Sequence, residues 1–196
     1  MRHIILASGS PRRLELLSAF GFPIKVIKPE IEETVDPALL PEELVVSLAL
    51  KKGQSVAKLT GTENPLLSAD TIVVLDGKII NKPENRKDAV NMISTLSGRT
   101  HTVFTGVSVF YKDIIDPFFV KSEVTFKKLS ENEISDYCDT TEPYDKAGAY
   151  AVQGVGSFMV KRINGSYSNV IGLPVSEVVE HFQKLGIIKG LKLKSP

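Results

Sequence analysis

Residues 4–17, Ile4-Ile5-Leu6-Ala7-Ser8-Gly9-Ser10-Pro11-Arg12-Arg13-Leu14-Glu15-Leu16-Leu17, place an apolar run, a small-residue turn and a helix start in immediate succession. That order predicts a buried strand turning at once into a helix, the first half of a strand–helix–strand unit. Ser10 suits the N-cap, and Pro11 suits the first helical position, where its missing N–H is no loss. The free N–H donors at such a helix end favour an anion, and Arg12 and Arg13 add two full positive charges. The turn is a candidate for holding an oxyanion such as a phosphate chain. An ordinary capped helix with solvated arginines fits the same six residues equally well.

The alternation continues along the chain. Strands are expected at 4–8, 24–27 and 65–69, the last continuing through 72–75 to an Asp76-Gly77 hairpin that returns at 78–80. Helices are expected at 11–20 with Gly21 as the stop, from Pro41 onward, and at 86–96. The helix after Pro41 carries Leu44, Val45, Leu48, Ala49, Lys52 and Val56 at helical spacing. The second half is richer in strand, with a long antiparallel pair at 101–111 and 118–126. Ser130 and Glu133 form a capping box opening a helix to about Cys138. Short strands are expected at 149–153 and 158–163 around a glycine turn, then a polar loop at 164–169. Leu173-Pro174 opens a last helix ending near Gly186. The expected class is α/β, a mixed sheet flanked by helices with function in the loops at strand ends. One domain spans 1–196, with a mobile tail from about 187.

Composition narrows the possible functions. With 196 residues, 42% apolar and 24% charged, the chain can bury a core of its own without disulfides or structural metal. Its single cysteine, Cys138, excludes an internal disulfide and fits a reducing cytosol. No apolar run approaches the ~20 residues of a membrane span, and the N-terminus lacks the shape of a signal peptide. A net charge of +1 argues against a broad nucleic-acid surface.

Several side chains can carry chemistry. Asp70 lies where an apolar strand is expected to end, a place where open α/β sheets put ligands. Its carboxylate could bind a divalent cation or orient a water, or it could simply cap a turn. Glu32 and Glu33 read first as a solvated acidic loop, and become a magnesium site if one of them meets Asp70. Lys82, held before Pro83, suits a phosphate, though many such lysines only sit on the surface. Gln153 precedes a glycine turn and offers both a donor and an acceptor to a base edge. There is no G-x-x-x-x-G-K-[ST] loop, no G-x-G-x-x-G turn, no zinc-spaced Cys/His cluster and no G-x-S-x-G elbow. Metal and electrostatics acting on phosphate remain.

As a set, the motifs resemble the Maf family of nucleotide pyrophosphatases. The matching segments are Ala7 to Arg13 with Glu15-Leu16-Leu17, Ile31-Glu32-Glu33, Ser68 to Val73, Lys82-Pro83, and Leu96 to His101. Asp145 to Tyr150, Gln153-Gly154, and Ile163 to Tyr167 with Gly172-Leu173-Pro174 complete them, in order and without a large gap. The resemblance implies a cytoplasmic enzyme, a homodimer, that cleaves nucleoside triphosphates to monophosphate and pyrophosphate with Mg²⁺ or Mn²⁺. It also implies an elongated mixed β-sheet flanked by helices, in two lobes with a central cleft, similar to the inosine triphosphatase group. An influence on septum formation and cell division belongs to the same implication. Carried over by position, Asp70 is the catalytic base and, with Glu33, holds the cation. Ser8, Ser10, Arg13, Lys52 and Lys82 surround the phosphates, and Lys146 joins the substrate-binding set. Arg12, Thr71 and Gln153 are similar to the branch acting on dTTP and UTP. Tyr150 and Tyr167 could pack on the base or be core residues. The competing readings are an inosine/xanthosine or 7-methyl-GTP pyrophosphatase and a non-catalytic nucleotide-binding regulator of division. No membrane and no stable nucleic-acid partner is expected.

Overall fold

The structure is a computed structural model, and it describes residues 3–32 and 38–190. Its elements, in chain order, are β1 (Ile4–Ala7), α1 (Pro11–Ser18), β2 (Ile24–Ile27), α2 (Pro41–Thr60), β3 (Leu66–Leu75), β4 (Lys78–Ile80) and α3 (Arg86–Leu96). There follow β5 (Thr100–Tyr111), β6 (Ile114–Phe126), α4 (Glu131–Cys138), β7 (Val160–Asn164), α5 (Tyr167–Ile171) and α6 (Val175–Lys184). The strands form a seven-stranded sheet in the order β2-β1-β3-β5-β6-β7, with β4 paired to β3. β1 runs parallel to β2 and β3, whereas β4 and β7 pair antiparallel with β3 and β6, so the sheet is mixed. The α/β expectation therefore holds. Among the described residues, no helix is long and apolar enough to cross a membrane.

The chain divides into two compact units. One holds Met1–Asp70, Thr105–Val120 and Gly172–Pro196, the other Thr71–Phe104 and Lys121–Ile171.

In the first unit, β1 is buried at all four positions, as a parallel strand covered on both faces should be. Ile4 and Leu6 join a cluster with Leu17 of α1 and Val178 and Phe182 of α6. Ile5 and Ala7 join another with Val56 of α2, Leu66 and Phe110. Successive side chains of a strand point to opposite faces, which is why one tetrapeptide feeds two clusters. Helix α2 buries Leu44, Val45, Leu48, Ala49, Lys52, Gly53 and Val56, the stripe its spacing predicts plus one glycine. The helix lies unusually close to the sheet. A Cβ on Gly53 would stand 2.1 Å from the Phe110 ring, and one on Gly106 would stand 2.2 Å from the Val45 carbonyl oxygen. Ser68 Oγ locks the contact by donating to the Ala49 carbonyl at 2.7 Å.

In the second unit, β3 and β4 turn at Asp76-Gly77, both with positive φ, as the sequence predicts. Ala89, Ile93 and Leu96 form the buried stripe of α3. The Ser130–Glu133 capping box opens α4 with its reciprocal bonds in place. His101 is 2% exposed, edge-on to Phe126 and Tyr150, with Nε2 2.7 Å from the Tyr150 hydroxyl. Tyr150 is thus a core residue rather than a platform for a base, while Tyr167 is 52% exposed.

Four expectations are corrected. Asp70 does not end a strand: β3 runs on to Leu75 because Val73–Leu75 find a second partner in β4. Ser10 occupies the N-cap of α1 without a side-chain bond to the helix; its own N–H donates to Ser8 Oγ at 3.1 Å. Residues 149–153 form no strand, since Gly148, Ala149 and Gly154 all take positive φ and the chain coils through 3-10 turns. The polar loop at 164–169 winds into α5 from Tyr167, with Ser166 Oγ accepting from the Asn169 N–H. The tail expectation falls largely on 191–196, which lie outside the described residues.

Candidate active site

The parallel register of β1 and β3 sets the first cluster. Ala7 faces Ser68, so Ser8, next in the chain, comes level with Ala69 and one residue short of Asp70. Neighbouring strands lie about 4.8 Å apart, so the Ser8–Arg13 turn and the Asp70 carboxylate share one end of the parallel pair. Helix α2, held close by Gly53 and Gly106, delivers Lys52 to the same place. Its ammonium lies 2.5 Å from Asp70 Oδ1, with each side chain only 10% exposed. A charge that deep is tolerable because its partner neutralises it.

Ser8 is buried, and its hydroxyl oxygen accepts twice, from the Ser10 N–H at 3.1 Å and from Arg13 Nη1 at 3.3 Å. A hydroxyl has two lone pairs and one hydrogen. With both lone pairs engaged, its remaining capacity is to donate, which is what an oxyanion needs. Arg13 is only 9% exposed, and its Nε donates to the Gly172 carbonyl at 2.8 Å. That second tether fixes the guanidinium at the turn instead of leaving it to wander in solvent. Arg12, the neighbouring side of the helix start, is half-buried. The first unit thereby brings together Ser8, Ser10, Arg12, Arg13, Lys52 and Asp70.

Thr71, Lys82, Lys146 and Gln153 belong to the second unit. Thr71 follows Asp70 in β3 and is half-buried; Lys82 is exposed just after β4. It contributes to a groove of about 530 Å³ between the β3–β4 hairpin and α3, with Leu75, Ile80 and Met92 among its apolar walls. Lys146 donates its ammonium to the Glu142 carbonyl at 2.6 Å and to Asp145 Oδ1 at 2.5 Å. Gln153 is half-buried, immediately before the positive-φ Gly154. Two further groups in these surroundings escape a reading of the sequence. Gly172 enters through its carbonyl, which no side-chain pattern reports. Glu142 enters through a carboxylate that bonds backbone 13 and 14 residues further on, a separation with no local signature.

A divalent cation fits the first cluster by donor chemistry. Mg²⁺ is commonly held by one or two carboxylates together with waters and substrate phosphates, and Asp70, whose Oδ1 is paired with Lys52, is the carboxylate this cluster offers. Among the described residues, no group of three or more His, Cys, Asp or Glu stands ready to hold a metal by itself. Glu33, the second expected ligand, lies outside the described residues.

The Maf-like protein family model matches residues 3–185. A dTTP/UTP pyrophosphatase of Bacillus anthracis (strain CDC 684 / NRRL 3495) is 46% identical over 187 residues, covering 95% of this chain and 97% of that protein. A dTTP/UTP pyrophosphatase of Bacillus cereus (strain AH820) matches with the same identity and coverage. Among solved structures, a HAM1 protein from Coxiella burnetii shares the fold, with a TM-score of 0.55 at 16% identity over 96% of this chain and 100% of that one.

Proposed function

This chain belongs to the Maf family, and we propose that it is a nucleoside triphosphate pyrophosphatase that hydrolyses dTTP and UTP to the monophosphate and pyrophosphate. The observation that carries the reading is the meeting, in one unit, of a donor-rich turn at Ser8–Arg13 with the buried Lys52–Asp70 pair. A triphosphate needs fixed donors and cations, and hydrolysis needs a carboxylate beside them.

In this mechanism Ser8 donates its hydroxyl hydrogen to a phosphate oxygen, and Arg13, tethered at Gly172, presents a fixed positive charge to the same chain. Arg12 and Ser10 complete the anion turn. Asp70 accepts the proton of the water that attacks phosphorus, and Lys52 keeps that carboxylate in place at 2.5 Å. Lys82 neutralises charge that develops on the departing pyrophosphate. Asp70, with Glu33, would hold Mg²⁺ or Mn²⁺, whose chemistry is to polarise a phosphoryl oxygen and make bound water more acidic. The balance is simple: water adds to phosphorus, the phosphoanhydride bond breaks, and one proton leaves through Asp70.

Base choice falls to Gln153 and Thr71. An amide both donates and accepts, matching the mixed edge of uracil and thymine, whereas a carboxylate accepts only. The relatives named above, at 46% identity, support this pyrimidine assignment. Family membership supports a cytoplasmic homodimer.

Incubation with the standard and modified triphosphates, scored for pyrophosphate with and without EDTA, tests the proposal. Pyrophosphate from dTTP and UTP, lost with EDTA and restored by Mg²⁺ or Mn²⁺, is the expected result. Preference for inosine, xanthosine or 7-methylguanosine triphosphate would reassign the substrate, and binding without turnover would remove the activity.

A further inference from the structure

We propose that Glu142 is a positioning residue for base selection, its carboxylate moulding the turn that carries Gln153; this rests on the reading that Gln153 meets the base. The carboxylate is spread over three neutral donors. Oε1 accepts from the Gly156 N–H at 2.7 Å and from the Tyr137 hydroxyl at 3.1 Å, and Oε2 accepts from the Val155 N–H at 3.0 Å. Val155 and Gly156 open a 3-10 turn, Val155–Met159, whose first N–H groups have no partner within the turn itself. Glu142 thus caps, from far upstream in sequence, the segment that starts two residues after Gln153.

The backbone is shaped to fit that carboxylate. Gly154 takes φ +77°, a conformation in which side chains are strained, and a Cβ there would stand 2.3 Å from Glu142 Oε2. A Cβ on Gly156 would stand 2.9 Å from Oε1 and 2.6 Å from the Ala151 carbonyl. Glu142 is itself held at both ends of its peptide. Its N–H donates to Thr140 Oγ1 at 3.3 Å, and its carbonyl accepts from Lys146 Nζ at 2.6 Å. One residue therefore ties Lys146 to the Gln153 turn, and Lys146 acts through that scaffold.

Two acceptor oxygens are needed to satisfy two successive N–H groups. Glu142→Gln keeps the shape but offers one acceptor and one donor, so one of the two N–H groups loses its partner. The expected effect is a KM for dTTP raised at least about tenfold, the low end of the worth of one hydrogen bond to a charged group, with kcat within about threefold. Selectivity for dTTP over GTP falls by the same factor. Tyr137→Phe removes the third donor, together with the hydroxyl's own bond to the Ala151 backbone, and moves selectivity the same way by about two- to threefold. In a Gln153→Ala background Glu142→Gln adds less than about twofold, because both act through one contact.

Steady-state kinetics on dTTP and GTP for these variants, with melting temperatures alongside, decide the matter. Lower melting temperature with unchanged selectivity in Glu142→Gln would show a merely structural residue and overturn the proposal. An effect of Glu142→Gln that persists in full without Gln153 would overturn it too. Should Glu142→Gln fail to fold, an unchanged selectivity in Tyr137→Phe overturns it equally. If Gln153→Ala leaves base preference untouched, the reading of Gln153 falls and Glu142 with it; an effect of Gln153→Ala alone removes only the positioning role.

Discussion

The Lys52 ammonium and the Asp70 carboxylate meet at 2.5 Å, each side chain only 10% exposed. Removing one member of such a pair leaves the other charged and poorly hydrated, which costs about 3–5 kcal/mol in buried settings. Lys52→Met should therefore lower unfolding stability by roughly 3 kcal/mol in urea titration, and Asp70→Asn by less, since the amide oxygen still accepts from the ammonium. A neutral Lys52→Met would show that the pair is not formed.

Close approach of α2 to the sheet is the condition for that pair. Gly106→Ala drives a Cβ toward the Val45 backbone, which cannot rotate away, and should cost about 2 kcal/mol or more. Gly9→Ala meets only the Lys28 side chain at 3.5 Å and should stay within about 0.5 kcal/mol of wild type. Equal melting temperatures for the two variants would contradict this packing.

His101 links acidity to stability. Burial lowers its pKa to about 4, against 6.5 for the free side chain, so the folded protein keeps it neutral where the unfolded chain protonates it. The unfolded state then binds more protons between pH 6.5 and about 4, and stability falls as pH drops through that window. The full contribution is present above pH 6.5, and the loss reaches roughly 3 kcal/mol near the lower limit. His101→Gln should flatten this part of the stability–pH curve, measured by denaturant unfolding. A variant with the wild-type slope would assign the pH dependence elsewhere.

Base selectivity has its own test. Gln153→Glu replaces a donor–acceptor pair by acceptors alone and should lower kcat/KM for dTTP and UTP more than tenfold relative to 7-methyl-GTP. Unchanged relative kcat/KM values would remove Gln153 from base reading.

Elements built from local rules are legible in the sequence. The α2 stripe from Leu44 to Val56, the Asp76-Gly77 hairpin and the Ser130–Glu133 capping box all form as their spacing and turn chemistry require. Where long-range bonds override local preference, sequence patterns mislead. Residues 149–153 resemble a strand because Tyr150 and Val152 are apolar, yet positive φ at Gly148, Ala149 and Gly154 coils the chain instead. Asp70 resembles a strand end because polarity interrupts the apolar run, but β4 supplies a partner for the residues beyond it. In the site, residue types and spacing point to Arg12, Arg13 and Asp70, and the family resemblance adds Ser8, whereas the Lys52–Asp70 pairing and the Gly172 tether depend on helix and loop placement that no local pattern encodes.

Pyrophosphate release from dTTP by the Asp70→Asn protein, alongside wild type under saturating Mg²⁺, is the most direct test of the catalytic cluster. With Asp70 as the acceptor of the water's proton, turnover should drop at least about 100-fold while circular dichroism shows a folded chain. An Asp70→Asn protein that releases pyrophosphate at the wild-type rate, with unaltered metal dependence, would contradict it.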